Sequence, residues 1–148
     1  MRYVFALLIL ALLAGVAAMV FFRSVPMPAA VWHVDPATAT APDKPNYDLR
    51  QGTAAPVINA ALPDVATRLD AAAMAEGAEV ISGSARDGFV TYVVRSALMG
   101  YPDAISVRLT AEGEDSTRLE IFSRSRFGYS DMGVNAARVA RWIEAVTP

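Results

Sequence analysis

The segment Ser123-Arg124-Ser125-Arg126-Phe127-Gly128-Tyr129-Ser130-Asp131-Met132-Gly133-Val134-Asn135, closed by Arg138, holds the residue types in this chain best suited to chemistry. Arginines, an aspartate, an asparagine and two glycines lie there between an expected strand and an expected helix. Guanidinium forks hold carboxylate or phosphate bidentately, so Arg124 and Arg126, with Arg95 and Arg138, form a candidate site for a small anion or a lipid headgroup. The N-terminus of the following helix would add amide donors. The same residues also fit a purely structural corner. In that reading Asp131 pairs with Arg124 or Arg126 and caps the helix, Asn135 bonds loop backbone, and Arg138 braces the loop. Gly128 and Gly133 permit positive φ, and Ser130, Asp131 and Asn135 are each competent caps.

Catalysis finds less support. A serine nucleophile needs a base, yet the chain has no Cys, and its one His (His33) and one Lys (Lys44) lie far from the motif in sequence. The acidic run Glu112–Asp115 reads as a solvated turn, and no Gly-rich phosphate loop follows a strand. No catalytic residue, metal site or cofactor is therefore assigned. The missing Cys also excludes disulfides and zinc–cysteine sites, and is silent on compartment. Beyond Arg23 there are 11 basic and 15 acidic side chains, so the domain is acidic and a nucleic-acid partner is excluded.

These residues must be positioned by a domain that follows an apolar leader. Tyr3 to Phe22 carries no charge and, as a helix, would span roughly 30 Å, the thickness of a bilayer core. Arg2 and Arg23 bracket it, with Tyr3, Phe21 and Phe22 at interfacial positions. Val16-Ala17-Ala18 would also suit signal-peptide cleavage. The apolar run continues through Met19-Val20-Phe21-Phe22, past such a cut, which favours an uncleaved anchor over residues 1–23. The flanking charges slightly favour a cytoplasmic N-terminus. The expectation is a single-pass protein of the inner (cytoplasmic) membrane, with the domain in the periplasm of a Gram-negative cell.

Residues 24–56 hold Pro26, Pro28, Pro36, Pro42, Pro45 and Pro56 among Ala, Thr and Asp, the composition of a semi-rigid extended spacer. Trp32 there is either interfacial or tucked against the domain, and His33 lacks a second imidazole to work with. From residue 57 onward the pattern predicts an α+β domain in the order α-β-β-β-β-α. Pro63-Asp64 opens a helix with Asp64 as N-cap, Val65, Leu69, Ala72 and Ala73 on one face, and Gly77 at its end. Strands follow near Ala78–Ser82 and Phe89–Leu98, then around Ile105/Val107/Leu109 and Thr117/Leu119/Ile121, separated by short turns. A last helix carries Val139, Trp142, Ile143 and Val146. Short turns imply a four-stranded antiparallel meander, and the polar strand faces imply a two-layer sandwich covered on one side by two helices. Leu119, Ile121, Ser123 and Ser125 face those helices, which leaves Arg124 and Arg126 on the open face.

The motif resembles the end of a widespread bacterial family catalogued as domain of unknown function 1499. Members of that family end in a serine-arginine strand, then Gly-x-x-Asp-x-Gly-x-Asn and a closing arginine, as Ser123 to Arg138 do here. Arg95-Ser96-Ala97-Leu98-Met99-Gly100-Tyr101-Pro102-Asp103 looks like the family's arginine-serine strand with an aromatic and an aspartate. Lys44-Pro45-Asn46 resembles its Ser-Pro-Asn segment with lysine in place of serine. The resemblance covers roughly residues 43–146 and implies an envelope-associated domain without an established activity. The functional expectation is a membrane-anchored, non-enzymatic accessory or interaction module. The alternatives are a binder of a small anion or anionic lipid through the arginines, and an accessory subunit that meets a membrane-protein partner.

Overall fold

The computed structural model describes residues 1–148. In chain order its elements are α1 (Arg2–Ser24), α2 (Ala29–Trp32), β1 (Tyr47–Arg50), β2 (Val57–Ile58) and α3 (Leu62–Ala75). Then come β3 (Glu79–Ser84), β4 (Phe89–Arg95), β5 (Pro102–Gly113), β6 (Ser116–Ser125) and α4 (Val134–Val146). The fold is α+β, as expected. Helix α1 is long and apolar enough to cross a membrane, with a mean hydropathy of 2.9 and no buried side chain.

Strands β3 to β6 form the antiparallel meander that the short turns predict. The sheet gains two short strands. Both β1 and β2 add antiparallel to the outer edge of β6, β1 along Ile121–Arg124 and β2 along Thr117–Arg118. Alternation sends Val90, Tyr92, Ile105, Val107, Leu119 and Ile121 to one face, where they meet Val65 and Leu69 of α3 and Val139 and Trp142 of α4. The Tyr92 ring stands edge-on to Trp142 with centroids 5.5 Å apart. Each such large side chain, fully buried, contributes about 1.5–3 kcal/mol. Helix α3 begins one turn earlier than the capping pattern suggests. Ala61 is its N-cap, Pro63 sits in the first turn where an amide hydrogen is dispensable, and Asp64 lies within that turn rather than capping it.

The second face differs from expectation. The sheet is not open there, and residues 24–56 are not a spacer separate from the domain. The chain leaving α1 lies across this face and buries Val25, Met27 and Ala39. Met27 packs on Val93 and Ala104, with Trp32 beside them. The His33 ring stacks on Phe89 at 3.9 Å, and its Nδ1 lies 2.8 Å from the Thr91 hydroxyl. The Arg108 guanidinium lies 4.6 Å from the centroid of the Phe89 ring and forks onto the Asp35 carboxylate, which this holds below the usual carboxylate range. The reason is compositional. The second face carries Phe89, Val93, Ala104 and Phe122 among its polar residues, and that apolar area needs cover. A proline-rich segment loses little backbone entropy when it is laid down in extended form.

This cover is sensitive to pH. Burial of His33, with Arg108 close by, lowers its pKa below 6.5, partly offset by Asp35. A group with a depressed folded pKa stabilises the fold above its unfolded value, and that contribution is lost as pH falls through the folded value. Protease cleavage within residues 25–39 should be slow at neutral pH and speed up as pH falls from about 7 to about 5. His33→Phe should flatten that dependence. Rapid cleavage at neutral pH would show that the segment is not packed.

Candidate functional site

The motif forms two different clusters, one on each side of the sheet. Strand β6 pairs with β5 through Ser125, and its alternation holds to the end. Ser123 and Ser125 point toward α4, and Arg124 and Arg126 point toward the segment that leaves α1.

On the helix side, Asn135 is fully buried and uses its whole amide. Its Oδ1 accepts from Ser123 Oγ at 2.5 Å and from Arg138 at 3.1 Å. Its Nδ2 donates to Asp131 at 2.7 Å, to Ser125 Oγ at 2.9 Å and to the Asn46 carbonyl at 3.1 Å. Asn46 in turn accepts from the Ser125 amide at 2.9 Å and donates to the Gly128 carbonyl at 2.9 Å. Arg138 pairs with Asp103 at 3.0 Å and approaches Glu76 at 3.4 Å. Its guanidinium is therefore committed inside the domain, on the opposite side of the sheet from Arg124 and Arg126.

Asp131 does not pair with Arg124 or Arg126. It accepts from the amides of Gly133 at 3.1 Å and Asn135 at 2.8 Å as well as from Asn135 Nδ2. The alternation of β6 explains the difference, because it carries both arginines to the face away from α4. Burial raises the Asp131 pKa, but the amide hydrogen bonds outweigh it and the net shift is downward. Gly133, at φ 83°, is the N-cap of α4, so Asp131 serves the helix from just outside it. Ser130 Oγ accepts from the Met132 amide at 3.2 Å, and Gly128 turns the chain at φ 88°.

On the other side, three of the predicted arginines grip backbone carbonyls. Arg95 donates to Phe22 and Val25 at 2.8 Å each. Arg124 donates to the Trp32 carbonyl at 2.7 Å, with its guanidinium 4.4 Å from the centroid of the Phe122 ring and 5.2 Å from that of Trp32. Arg126 donates to the Pro26 carbonyl. Arg23 reaches the other way, from the end of α1 to the carbonyls of Ala97 at 2.7 Å and Leu98 at 3.0 Å. Arg124 is buried and in no ion pair, and burial pushes its pKa down to about 10, so it stays charged at neutral pH. Beside it lies a cavity of about 500 Å³, lined by Trp32, Lys44, Asn46 and Arg126, with Asp43 as its one acidic residue. A second cleft of about 460 Å³ lies among Phe22, Tyr101, Phe127, Asp103 and Asp131.

Sequence reasoning placed the four arginines in one cluster, but the fold divides them. It missed Arg23, Trp32 and Lys44 as neighbours of the motif, because only the long-range path of the proline-rich segment brings them there. One signal was readable, since a segment with so many prolines leaves carbonyls without partners.

The model of the family described as Protein of unknown function (DUF1499) matches residues 31–146. The chain belongs to this family. No curated protein and no solved structure matches it. The DUF1499 match begins inside the proline-rich segment, in agreement with the packing of that segment into the folded unit. Within the matched range, Asn46, Asp103 and the Ser123–Arg138 motif meet at one end of the sheet.

Asn135→Ala should destabilise the domain by about 3 kcal/mol, because Ser123, Arg138 and Asp131 lose a buried partner together. Asp131→Ala should cost about 1–2 kcal/mol through its amide contacts. Thermal or denaturant unfolding of the full chain in detergent measures both, and an unchanged midpoint for Asn135→Ala would contradict the hub role.

Proposed function

We propose that this is a single-span, membrane-anchored envelope protein without catalytic activity, an accessory or interaction module of the cytoplasmic membrane whose domain faces the periplasm. The observation that carries this reading is the junction between α1 and the domain. Phe22 packs on Tyr101 and Phe127, with centroids 4.4 and 5.0 Å apart, while Arg95 and Arg126 hold the backbone at and after it and Arg23 holds the loop at Ala97. An anchor so bonded holds its domain at the end of the helix in a set orientation, as suits a module that presents a surface to a partner. A non-enzymatic role agrees with the positions of the reactive groups. The imidazole of His33 stacks on Phe89, and the carboxylates of Asp103 and Asp131 are engaged by Arg138 and by backbone amides.

A second reading rests on the cavity beside Arg124. Arg124, Arg126 and Lys44 line it against one aspartate, and Arg124 has donors to offer and no carboxylate partner. A phosphate or carboxylate fits that donor set.

Since the chain lacks Cys, Glu114→Cys supplies a unique label in the β5–β6 turn. An impermeant maleimide should modify it in cells with a permeabilised outer membrane, and the chain should stay with membranes after alkaline washing. A mature chain starting after Ala18 would overturn the anchor. For the second reading, Arg126→Gln and Lys44→Gln should each weaken the binding of inorganic phosphate by about tenfold in calorimetry. Equal binding by both variants and the parent would remove it.

A further inference from the structure

Two loops flank the end of α1, Ser96–Tyr101 before β5 and Arg126–Gly133 before α4. Both are bonded or packed to its last turn. Arg23 holds the carbonyls of Ala97 and Leu98, and Phe127 packs on Phe21 and Phe22. The second loop opens at Arg126, whose guanidinium is turned onto the Pro26 carbonyl, and past it the one charged side chain of the two loops is Asp131, whose carboxylate is turned onto the amides of Gly133 and Asn135. Apart from the hydroxyls of Ser96 and Ser130, each of which accepts from a backbone amide of its own loop, their outward side chains are apolar or aromatic. Leu98, Tyr129 and Met132 are 72%, 71% and 95% exposed, and Tyr101 and Val134 stand partly out beside them. Elsewhere on the domain, exposed large apolar residues such as Val57, Met74 and Val80 occur on separate elements.

Met132 adds a separate observation. It is the one non-glycine residue with positive φ, at 55°, a conformation that costs energy for an unbranched side chain. Backbone strain of this kind persists where the surrounding structure enforces it. Here the Asp131 and Ser130 side chains bond the amides on either side, and the result is a fully projecting Met at the loop tip. A strained turn that pushes a thioether into water has no packing benefit within the domain.

We propose that these two loops form a membrane-seating rim, with Leu98, Tyr129 and Met132 inserted into the interfacial region of the bilayer that α1 spans. The occupant follows from continuity. The loops are fastened to Phe21, Phe22 and Arg23, the interfacial end of the span, so they lie at the depth of the headgroups. Side chains of this type bury about 5–10 Å into the headgroup and acyl boundary. The charge pattern agrees, because a rim meant for water would carry surface charges, and this one hides its only carboxylate. The rim and α1 together would hold the sheet end-on to the membrane. The β5–β6 turn would then point away by roughly 35 Å, the length of β5.

The inference rests on α1 being retained in the membrane, and the experiment separates the two. Full-length single-cysteine variants L98C, Y129C, M132C and E114C carry an environment-sensitive fluorophore in vesicles of phosphatidylethanolamine and phosphatidylglycerol. The rim probes should shift to the blue, be quenched by lipid-borne nitroxide at least about twofold more than the Glu114 probe, and resist aqueous iodide. A chain that co-sediments with vesicles but whose rim probes respond to iodide as the Glu114 probe does overturns the rim and leaves the anchor standing. Rim probes shielded from both quenchers point to a protein partner and also overturn it. A chain that does not co-sediment overturns both readings. Full-length Met132→Gly, which relieves the backbone strain, should fold at least as well as the parent and lose membrane quenching of a Tyr129 probe in part. Unchanged quenching there would show that Met132 does not seat the loop.

Discussion

Guanidinium groups only donate hydrogen bonds, and a proline-rich extended segment has carbonyls in excess of its amides. That complementarity closes the second face of this sheet. Arg95, Arg124 and Arg126 stand on it without carboxylate partners, and the end of α1 and the chain leaving it bring the carbonyls of Phe22, Val25, Pro26 and Trp32 to them, the last also accepting from the Val34 amide. A continuous helix laid there would offer only its last-turn carbonyls and would leave the other arginine donors unsatisfied, at a cost of about 1–3 kcal/mol for each buried donor. The extended segment also covers Val93 and Ala104 with Met27 and Trp32. Apolar burial and donor satisfaction thus select the same path for the chain.

The opposite side of the sheet works by a different balance. Its core is aliphatic and aromatic, but the end of β6 brings Ser123 and Ser125 into it, so α4 must answer with polar groups. Asn135 and Arg138, one helical turn apart, do so, and Asp103 neutralises the arginine. Asn46 reaches the same cluster from the start of β1, so the last loop is tied to both ends of the domain. The two clusters share one strand, and its pleat keeps them apart.

Much of this was legible in one dimension. Alternation in β5 and β6 and the 3.6-residue spacing of Val139, Trp142 and Val146 are local consequences of burying one face, and they survive in the fold. The division of Ser123/Ser125 from Arg124/Arg126 was legible for the same reason. The partners were not. Asp131 is near both arginines in sequence, and proximity suggested an ion pair, but the loop returns Asp131 to the helix side, where backbone amides are closer. The proline-rich stretch misled in a related way. Prolines exclude central strand there, and the one helical turn, α2, fits between Pro28 and Pro36, but they say nothing about whether an extended chain lies in water or on a sheet.

The order of residues alone therefore established an apolar N-terminal helix, an antiparallel meander with its inward and outward faces, and a last helix that opens after the Gly-rich loop. These follow from local sterics, side-chain period and composition. The tertiary structure decided which residues meet across long stretches of chain. It closed the second face with residues 25–39, set Arg138 against Asp103, joined Asn46 to Asn135, and brought the loops at Leu98 and Met132 beside the end of α1. Such pairings depend on the whole set of buried areas and donor–acceptor matches being satisfied together, and no local pattern carries that information.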